Sequence, residues 1–448
     1  MKRFLRSFVA AALSLMAVPA SALADEVSET AGSDNPTVGS GEEARSLDEL
    51  LQAGDYVPGR VLAHVNDDFA PVSAYSSNGG GWSASNLYTF DPQPEAGAEA
   101  DVPLARSMPT PEQVILIESG TQSTEDLLRD LADTPGVLAA QPDYVRYIDD
   151  LETQAKPVEE PAAALSADTA PTDDPLIGLQ WHLAPTDEIA GAANVETLWG
   201  DEGIPGRPWQ GKEEVVVAVV DTGVDCTNPD LKDVMWENPG NIGLEGEHGY
   251  DYGMGDDDPM DNDGHGTHVA GIIAASVNNG EGVAGVAPNA KIMALRVANE
   301  SGGFLTSAVL GAYSYMKKAA QARVNLVAAN NSWMGAGESP LLTEVMDDLY
   351  RSNGVLSVCA SGNYAADLDQ SLNLPAGAPT DGAIAVNAVD REGRLASFSD
   401  YGAAATDLAA PGTDILSTAP QGQGIVDGDD PELTVAFDDF ESEDRMFS

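Results

Sequence analysis

The chain's length and charge limit what it can be. At 448 residues it exceeds one ordinary domain, so two domains with tails are the natural expectation. Its 73 acidic against 21 basic residues give a net charge of −52, which argues against nucleic acid as a partner because phosphate binding needs Lys and Arg. The two cysteines, Cys226 and Cys359, are too few for a disulfide framework and predict two separate buried thiols.

The first 24 residues have the composition of a secretory signal peptide. Three basic residues precede an apolar run, and Ala20, Ala22 and Ala24 supply small-residue cleavage patterns. No other run approaches the roughly 20 apolar residues that a membrane-spanning helix needs. We therefore expect a secreted, extracellular protein, held at the cell surface only if a part beyond Ser448 anchors it.

Residues 25–55 are acidic and small, and they predict a flexible lead. The segment after them, 56–148, carries regular apolar patterns. It predicts strands at 59–65 and 113–119, a helix capped by Ser123, and two short closing strands within 137–148. This order indicates a small α+β, ferredoxin-like domain, although the polar stretch between Asn66 and Pro111 marks no clear first helix.

Residues 149–174, rich in Pro, Ala and acids, are interpreted as an exposed linker. Between 175 and 448, strand and helix patterns then alternate. The predicted strands are 215–220, 290–297, 324–332, 355–361 and 383–389, and the predicted helices are 265–276, 305–323 and 340–352. Such alternation predicts an α/β domain in which a parallel sheet carries helices on both faces.

Two side chains of this region are suited to catalysis. Asp221 ends a run of six small apolar residues that fits a buried parallel strand, and His265 begins a small-residue helix between two glycines. Ligands collect beyond the carboxyl ends of such strands, so the two side chains can meet. A satisfied strand-end carboxylate or a helix-capping histidine would explain either residue alone. The two together, 44 positions apart, favour a histidine base that a carboxylate orients.

The segments that carry these residues, VVDTGVD and DGHGTHVAG, resemble the Asp and His signatures of the subtilisin-like serine peptidases, or subtilases. The resemblance implies that His265 acts as general base and then acid, that Asp221 orients it, and that the substrates are polypeptides. His268 lies three positions after His265, without the spacing and Glu of a zinc-peptidase helix, so we interpret it as a packed helix residue.

The segment 56–148 also resembles a family feature, above all in PGVLAAQPDYVRYI. It is similar to the inhibitor-type propeptide that precedes subtilase catalytic domains. This implies a zymogen in which the propeptide assists folding and then occupies the active site until it is removed. An unrelated small α+β domain remains the alternative, because the similarity is at the level of the fold.

Further segments imply an oxyanion donor and a substrate groove. VCASGNYAAD resembles the family's AAAGN segment, which would make Asn363 the donor to the developing oxyanion, although a turn-forming Asn explains the same residues. AANNSWMGAG occupies the position of the edge strand that pairs with substrate backbone. The implied substrate-binding residues are Ser332, Trp333, Met334, Gly335, Ala360, Ser361 and Gly362. Trp333 either shapes the pocket or packs in the core.

The loop SVNNGEGVAGVAP matches a subtilase calcium loop in length. The resemblance implies a structural Ca²⁺ held by Asp230, Asn279 and the carbonyls of Val277, Glu281 and Val283. A glycine-rich turn without an ion explains the loop as well. The acidic run 251–263 could bind more calcium, attract basic substrates, or be a solvated surface loop.

The family's nucleophile lies in a Gly-Thr-Ser-Met-Ala turn before a buried helix, and the 448 residues contain no such segment. Ser442 lies between two glutamates and Ser448 is the last residue, so we assign no catalytic serine. The first hypothesis is a secreted endopeptidase precursor given without its serine segment, and inactive by the triad route as given. The second is a non-catalytic peptide-binding relative, a pseudoprotease. Retention of Asp221, His265 and Asn363 favours the first, because a binding module does not need all three.

Overall fold

The computed structural model describes residues 37–38, 45–69, 82–91, 111–147, 172–201, 214–299, 303–336, 339–371, 373–421, 425–426 and 434–438. All of them belong to the compact unit Pro36–Ser448. The predicted signal peptide and residues 149–171 of the predicted linker lie outside the described residues. In the described part, no helix combines the length and the apolar character that crossing a membrane requires.

The strands are β1 Thr37–Val38, β2 Arg45–Ser46, β3 Tyr56–Val65, β4 Trp82–Thr89, β5 Gln113–Ser119, β6 Val137–Tyr147, β7 Val215–Asp221, β8 Gly249–Asp251, β9 Ala290–Arg296, β10 Gly303–Leu305, β11 Leu326–Asn331, β12 Gly335–Ala336, β13 Leu356–Ala360, β14 Asn373–Leu374, β15 Ala383–Val389, β16 Leu408–Pro411, β17 Ile415–Ala419, β18 Ile425–Val426 and β19 Thr434–Asp438. The α-helices are α1 Leu47–Gln52, α2 Thr124–Ala132, α3 Val195–Asp201, α4 His265–Ala274, α5 Thr306–Gln321 and α6 Pro340–Asn353, and short 3₁₀ turns lie at Ile177–Leu179, Trp181–Leu183 and Lys232–Val234.

A seven-stranded sheet forms the centre of the C-terminal part. Its order is β16-β15-β13-β11-β7-β9-β8, and every neighbouring pair runs parallel. The side chains of β7 alternate: Val216, Ala218 and Val220 share a core with α5 and α6, whereas Val219 packs with α4 on the opposite face. The predicted α/β fold, a parallel sheet with helices on both faces, is confirmed.

A second, antiparallel sheet lies against the outer side of α5 and α6. Its order is β10-β6-β3-β5-β4, so one strand of the C-terminal part, β10, completes the N-terminal sheet. On β3, Val61 and Ala63 pack with α2, whereas Leu62 belongs to the core that contains α5 and α6. The two helices are therefore covered by a sheet on each side.

The structure corrects one prediction about the N-terminal sheet and adds a strand that was not predicted. The closing segment is one strand, β6, and the prediction of two was wrong. Pro142 lacks an N–H, but it lies where the pairing with β3 is irregular, so the strand continues through it. The polar stretch after Asn66 contains β4, which pairs with β5 and is anchored by the buried Tyr88.

Two predicted boundaries were also wrong. The flexible lead ends in helix α1, whose start carries a capping box of Ser46 and Glu49 and whose Leu47 and Leu50 are buried. The predicted linker ends too late, because Asp174 is 2% exposed and its carboxylate accepts hydrogen bonds from the 278–279 backbone. A short polar segment can thus belong to the folded unit when it caps a helix or a loop.

Candidate active site

Asp221 and His265 meet at the carboxyl edge of the parallel sheet. Asp221 is the last residue of β7 and is fully buried, and His265 is the first residue of α4 and 6% exposed. The distance between Asp221 Oδ1 and His265 Nδ1 is 2.6 Å, and the same oxygen accepts the N–H of Thr222 at 2.8 Å. A buried carboxylate thus holds one ring nitrogen of the histidine.

The loop before α4 fixes the histidine's position. Asp261 Oδ1 accepts the N–H groups of Asp263 and Gly264, and Asp261 Oδ2 accepts the N–H and the hydroxyl of Thr267. Gly264 has a φ of 121°, which favours glycine. Asp261 therefore satisfies amides of the first turn, a capping role that the sequence analysis did not assign.

Glycine is also required one residue after the histidine. A Cβ at Gly266 would overlap the carbonyl oxygen of Gly223 and would lie 3.2 Å from Asp221. The N–H of Gly266 donates to Thr222 Oγ1 at 2.9 Å. Close approach of these two backbone segments thus explains the glycine that follows His265 in the motif.

The predicted oxyanion donor, Asn363, follows β13 at the same edge of the sheet. It is half-buried, and Gly362 before it has a φ of 123°. β7, β11 and β13 are adjacent and parallel, so the residues after their carboxyl ends collect at one edge, as the prediction required. The structure therefore places Asn363 on the edge where Asp221 and His265 meet.

The residue that holds the Asn363 loop in place, Asp400, was not predicted from the sequence. Asp400 is 1% exposed, and its Oδ1 accepts the N–H groups of Tyr364 and Ala366 at 2.8 and 2.9 Å. Its own N–H donates to the carbonyl of Gly362 at 2.8 Å. Asp400 thus binds the backbone on both sides of Asn363. The Asp-Tyr-Gly segment that carries Asp400 can be read from the sequence, but the backbone amides that Asp400 binds cannot.

The predicted substrate-binding residues lie after β11 and β13. Ser332 is half-buried, and Gly335 begins β12, which pairs with β14. Trp333 is 1% exposed and packs edge-on against Phe304 at 5.2 Å between ring centroids, so it is a core residue rather than an open pocket wall. Met334, Ala360, Ser361 and Gly362 complete the predicted set; Met334, Ser361 and Gly362 are buried and Ala360 is partly exposed.

The N-terminal sheet reaches this groove. Val145–Tyr147 of β6 pair antiparallel with Gly303–Leu305 of β10. The side chain of Arg146 is 1% exposed and contacts the backbone at Gly335, where a Cβ would overlap it. The end of β6 therefore runs beside the segment that was predicted to bind substrate backbone.

The predicted calcium residues come together in part. Asp230 is fully buried; its carboxylate accepts the amide of Asn279 at 2.8 Å and the N–H of Val283 at 2.9 Å. Burial raises the pKa of Asp230 to about 8, and nearby Asp174 adds to the shift. Asp174 was not among the predicted calcium residues, and its carboxylate lies near that of Asp230. The described residues contain no group of three or more His, Cys, Asp or Glu arranged to hold a metal.

Other predictions concern single residues. Cys226 and Cys359 are both free, as predicted, but only Cys359 is buried; Cys226 is half-buried, so the prediction of a buried thiol was wrong for it. His268 is buried in α4, with Nε2 3.1 Å from the carbonyl of Ile415. In the acidic run, Asp251 Oδ1 accepts the N–H groups of Gly253 and Met254, so this carboxylate serves the loop's own turn.

Comparison with known proteins gives the same assignment as the geometry. The model of the subtilase family matches residues 212–433. The thermophilic serine proteinase of Bacillus sp. (strain AK1) is 38% identical over 202 residues, 45% of this chain and 45% of that protein. Subtilisin DY of Bacillus licheniformis is 36% identical over 46% of this chain and 67% of its own length, and thermitase of Thermoactinomyces vulgaris is 36% identical over 46% and 65%.

The chain thus spans less than half of the first of these relatives and about two thirds of the other two. The matched region contains Asp221, His265 and Asn363, and it contains the whole of the parallel sheet. The chain belongs to the subtilase family.

Proposed function

We propose that this protein is a secreted serine endopeptidase precursor that hydrolyses peptide bonds. The observation that carries the proposal is the 2.6 Å contact between the buried Asp221 and His265 Nδ1. In this proposal Asp221 fixes the ring orientation and stabilises the imidazolium. His265 takes the proton of a serine hydroxyl through Nε2 and returns it to the leaving amine. The Asn363 amide donates to the oxyanion, an interaction that is worth about 3 kcal/mol of barrier in a subtilisin.

Substrate would bind as an added strand. Ser332–Gly335 follows β11 and β10 follows β9, and β11 and β9 are the two neighbours of β7, the strand that ends at Asp221. Main-chain hydrogen bonds of this kind give affinity for any extended peptide, and pockets for alternate side chains give selectivity. The substrate class is therefore extended polypeptide.

We infer that the N-terminal unit, residues 56–147, is the intramolecular inhibitor. Its sheet buries Leu62, Tyr88 and Leu116 in the same core as α5 and α6, and its Gln141 side chain donates to Ser339, the N-cap of α6, at 2.9 Å. Each buried apolar side chain contributes roughly 1.5–3 kcal/mol. Contacts of this extent support a unit that stabilises the two helices and covers the groove.

We also propose a structural calcium ion at the Asp230 loop. The chemistry of the residues supports the proposal, because Asp174 and Asp230 are buried carboxylates close to one another and calcium prefers oxygen ligands. In the structure as described, the Asn279 amide N–H donates to Asp230, so its side-chain oxygen would have to turn towards the ion. A calcium ion would neutralise the two carboxylates there. Asp230, Asp174 and Asn279 would hold it, with the carbonyls of Val277, Glu281 and Val283.

The test of the peptidase proposal begins with the gene. Its reading frame and transcript should be followed past codon 448, and the full product should be expressed and assayed on casein and on short peptide anilides. We expect a Gly-Thr-Ser turn, and hydrolysis that His265→Ala lowers at least about a thousandfold. Thr306→Ser, which conserves the hydroxyl at the start of α5, is the control and should leave hydrolysis unchanged.

Two results would contradict the proposal. One is hydrolysis that His265→Ala leaves intact. The other is a full product that binds extended peptides without cleaving them, which would support the pseudoprotease alternative. The pseudoprotease alternative is tested because the 448 residues contain no Gly-Thr-Ser turn.

A further inference from the structure

His64 lies at the boundary between the N-terminal sheet and the helices of the catalytic part. It is on β3, is 8% exposed, and stacks against Phe90 with 4.7 Å between ring centroids. His64 Nε2 is hydrogen-bonded at 3.0 Å to Oε2 of Glu112, which immediately precedes β5. Oε2 of Glu344 on α6 lies 3.0 Å from His64 Nδ1, as an ion-pair contact rather than a hydrogen bond. The imidazole therefore stands between one carboxylate from each side of the interface.

Only the protonated ring satisfies both carboxylates. A neutral imidazole has one N–H and one lone pair, so one of the two glutamates must then face a lone pair at 3.0 Å. Hydrogen bonds between two charged groups are roughly twice as strong as neutral ones. Loss of the proton thus replaces an attraction with a repulsion, either across the interface or within the N-terminal sheet.

The surroundings of His64 favour the charged form. Burial alone would lower the pKa of His64, but Glu344 and Glu112 outweigh burial and the pKa is raised above its ordinary value of 6.5. The next acid on that side of α6, Asp348, is engaged elsewhere: it accepts the Tyr88 hydroxyl at 2.8 Å and Lys317 Nζ at 2.7 Å. Glu112 and Glu344 are therefore the charged groups that the ring senses from β5 and α6.

The sign of the pH effect follows from the raised pKa. The interaction contributes fully below the unfolded value of about 6.5 and is lost as pH rises through the higher folded value. The N-terminal sheet should therefore be held most firmly in mildly acidic solution.

We propose that His64 is a pH-dependent latch, which bridges Glu112 and Glu344 when protonated and loosens the N-terminal sheet from α6 as it loses its proton. The latch rests on the proposed function only in that the sheet is taken to be the inhibitor. Mildly acidic surroundings then keep the precursor closed, and neutral to alkaline surroundings favour release. Regulation of this kind needs no residue of the catalytic groove.

The experiment uses the full chain with a site for a specific protease inserted between residues 151 and 171. After cleavage at this site, the two pieces remain associated through the interface alone. The dissociation constant of the nicked chain is measured between pH 5.5 and 8.5, by dilution followed by size-exclusion chromatography. For the unaltered interface we expect about a tenfold increase over this range, the effect of losing one charge-assisted hydrogen bond.

Three variants and one direct titration decide the outcome. His64→Gln and Glu344→Gln should remove most of the pH dependence, whereas Glu125→Gln, a half-buried glutamate on α2 that pairs with Arg129, should keep it. Because a variant could fail to associate, the His64 ring is also titrated by NMR in the uncut chain, where a pKa above 6.5 is expected. A pKa at or below 6.5, equal pH dependence in His64→Gln, or separation of the pieces at every pH would overturn the latch. Normal association that does not affect peptide hydrolysis by the full product would instead overturn the inhibitor assignment and leave the latch standing.

Discussion

The carboxylate of Asp143 lies at the first turn of α5, where it accepts hydrogen bonds from the backbone N–H and the hydroxyl of Ser307 at 2.9 and 2.8 Å. Asp143 belongs to the N-terminal sheet, and Ser307 belongs to the catalytic part. A negative charge at a helix N-terminus is stabilised by the helix dipole and by the amides that have no partner within the helix. The N-terminal unit thus completes a helix of the domain that it covers.

Removal of this charge should therefore weaken the interface. Asp143 is fully buried and lies 3.1 Å from Arg60 Nε, so Asp143→Asn would leave a poorly compensated guanidinium as well as a helix end without its anion. We expect a loss on the order of 3 kcal/mol in the association of the nicked chain. Asp133→Asn, at the exposed end of α2, is the matched control. Equal affinities for the two variants would show that the contact contributes nothing.

Gly266→Ala should destabilise the chain far more than an ordinary Gly-to-Ala change. The new methyl group would overlap the Gly223 carbonyl and press on Asp221, so β7 and α4 must separate. We expect a loss of about 2 kcal/mol or more in the free energy of unfolding, measured by urea denaturation. Gly120→Ala is the control, because a Cβ at Gly120 meets nothing within 4 Å. If the two variants unfold at the same urea concentration, the close approach is not required.

The fold could be predicted from the sequence where a pattern repeats locally. Val215–Val220 is uniformly apolar because its strand is buried on both faces, and the predicted strand differs from β7 by one residue. The predicted cap of α2, Ser123, accepts the N–H of Asp126. The predicted helix at 340–352 matches α6 for the same reason, since an amphipathic period and a capping residue are both short-range signals.

The remaining features depend on partners far away in the sequence. Asp400 could not be assigned a role, because the amides that it binds, at Tyr364 and Ala366, lie more than 30 positions earlier. Likewise, Asp174 lies at the end of an acidic stretch that is typical of a linker. The backbone N–H groups that donate to its carboxylate, at 278–279, lie about 100 positions later in the sequence. The helix α1 was missed although its capping box is local, because its six residues bury only Leu47 and Leu50.

Asp400 is a positioning residue: it should affect catalysis only by holding the loop that carries Asn363. In the full gene product, Asp400→Ser would release the amides of Tyr364 and Ala366 and let Asn363 drift from the oxyanion. We expect kcat to fall about tenfold to a hundredfold with little change in KM, since an oxyanion contact forms only in the transition state. In the Asn363→Ala background the same substitution should cost almost nothing more. Additive losses in the double variant would place Asp400 outside this role.

Calcium removal should destabilise the chain through the Asp230 loop. Without a cation, Asp230 and Asp174 are two buried carboxylates near each other, so excess chelator should lower the melting temperature by several degrees. Asp230→Asn should abolish most of the difference between chelator and calcium. Asp258→Asn, in the exposed acidic loop, should keep it. If the melting temperature of the unaltered chain does not depend on calcium, the proposed site is wrong. If only Asp258→Asn abolishes the difference between chelator and calcium, the ion binds in the acidic run instead.

His182 should make the protein sensitive to acid. Burial, together with the neighbouring His268, lowers the pKa of His182 to about 3, and neither ring nitrogen has a hydrogen-bond partner among the described residues. The unfolded chain, with an ordinary pKa near 6.5, therefore binds the proton first, and stability is lost as pH falls from about 6.5 towards 3. This one site should cost about 2 kcal/mol at pH 5 relative to pH 8, measured by urea unfolding. His182→Phe should remove that loss, whereas His248→Gln, a half-buried histidine elsewhere, should retain it. An unchanged acid profile in His182→Phe would mean that the buried ring takes up its proton without unfolding the chain.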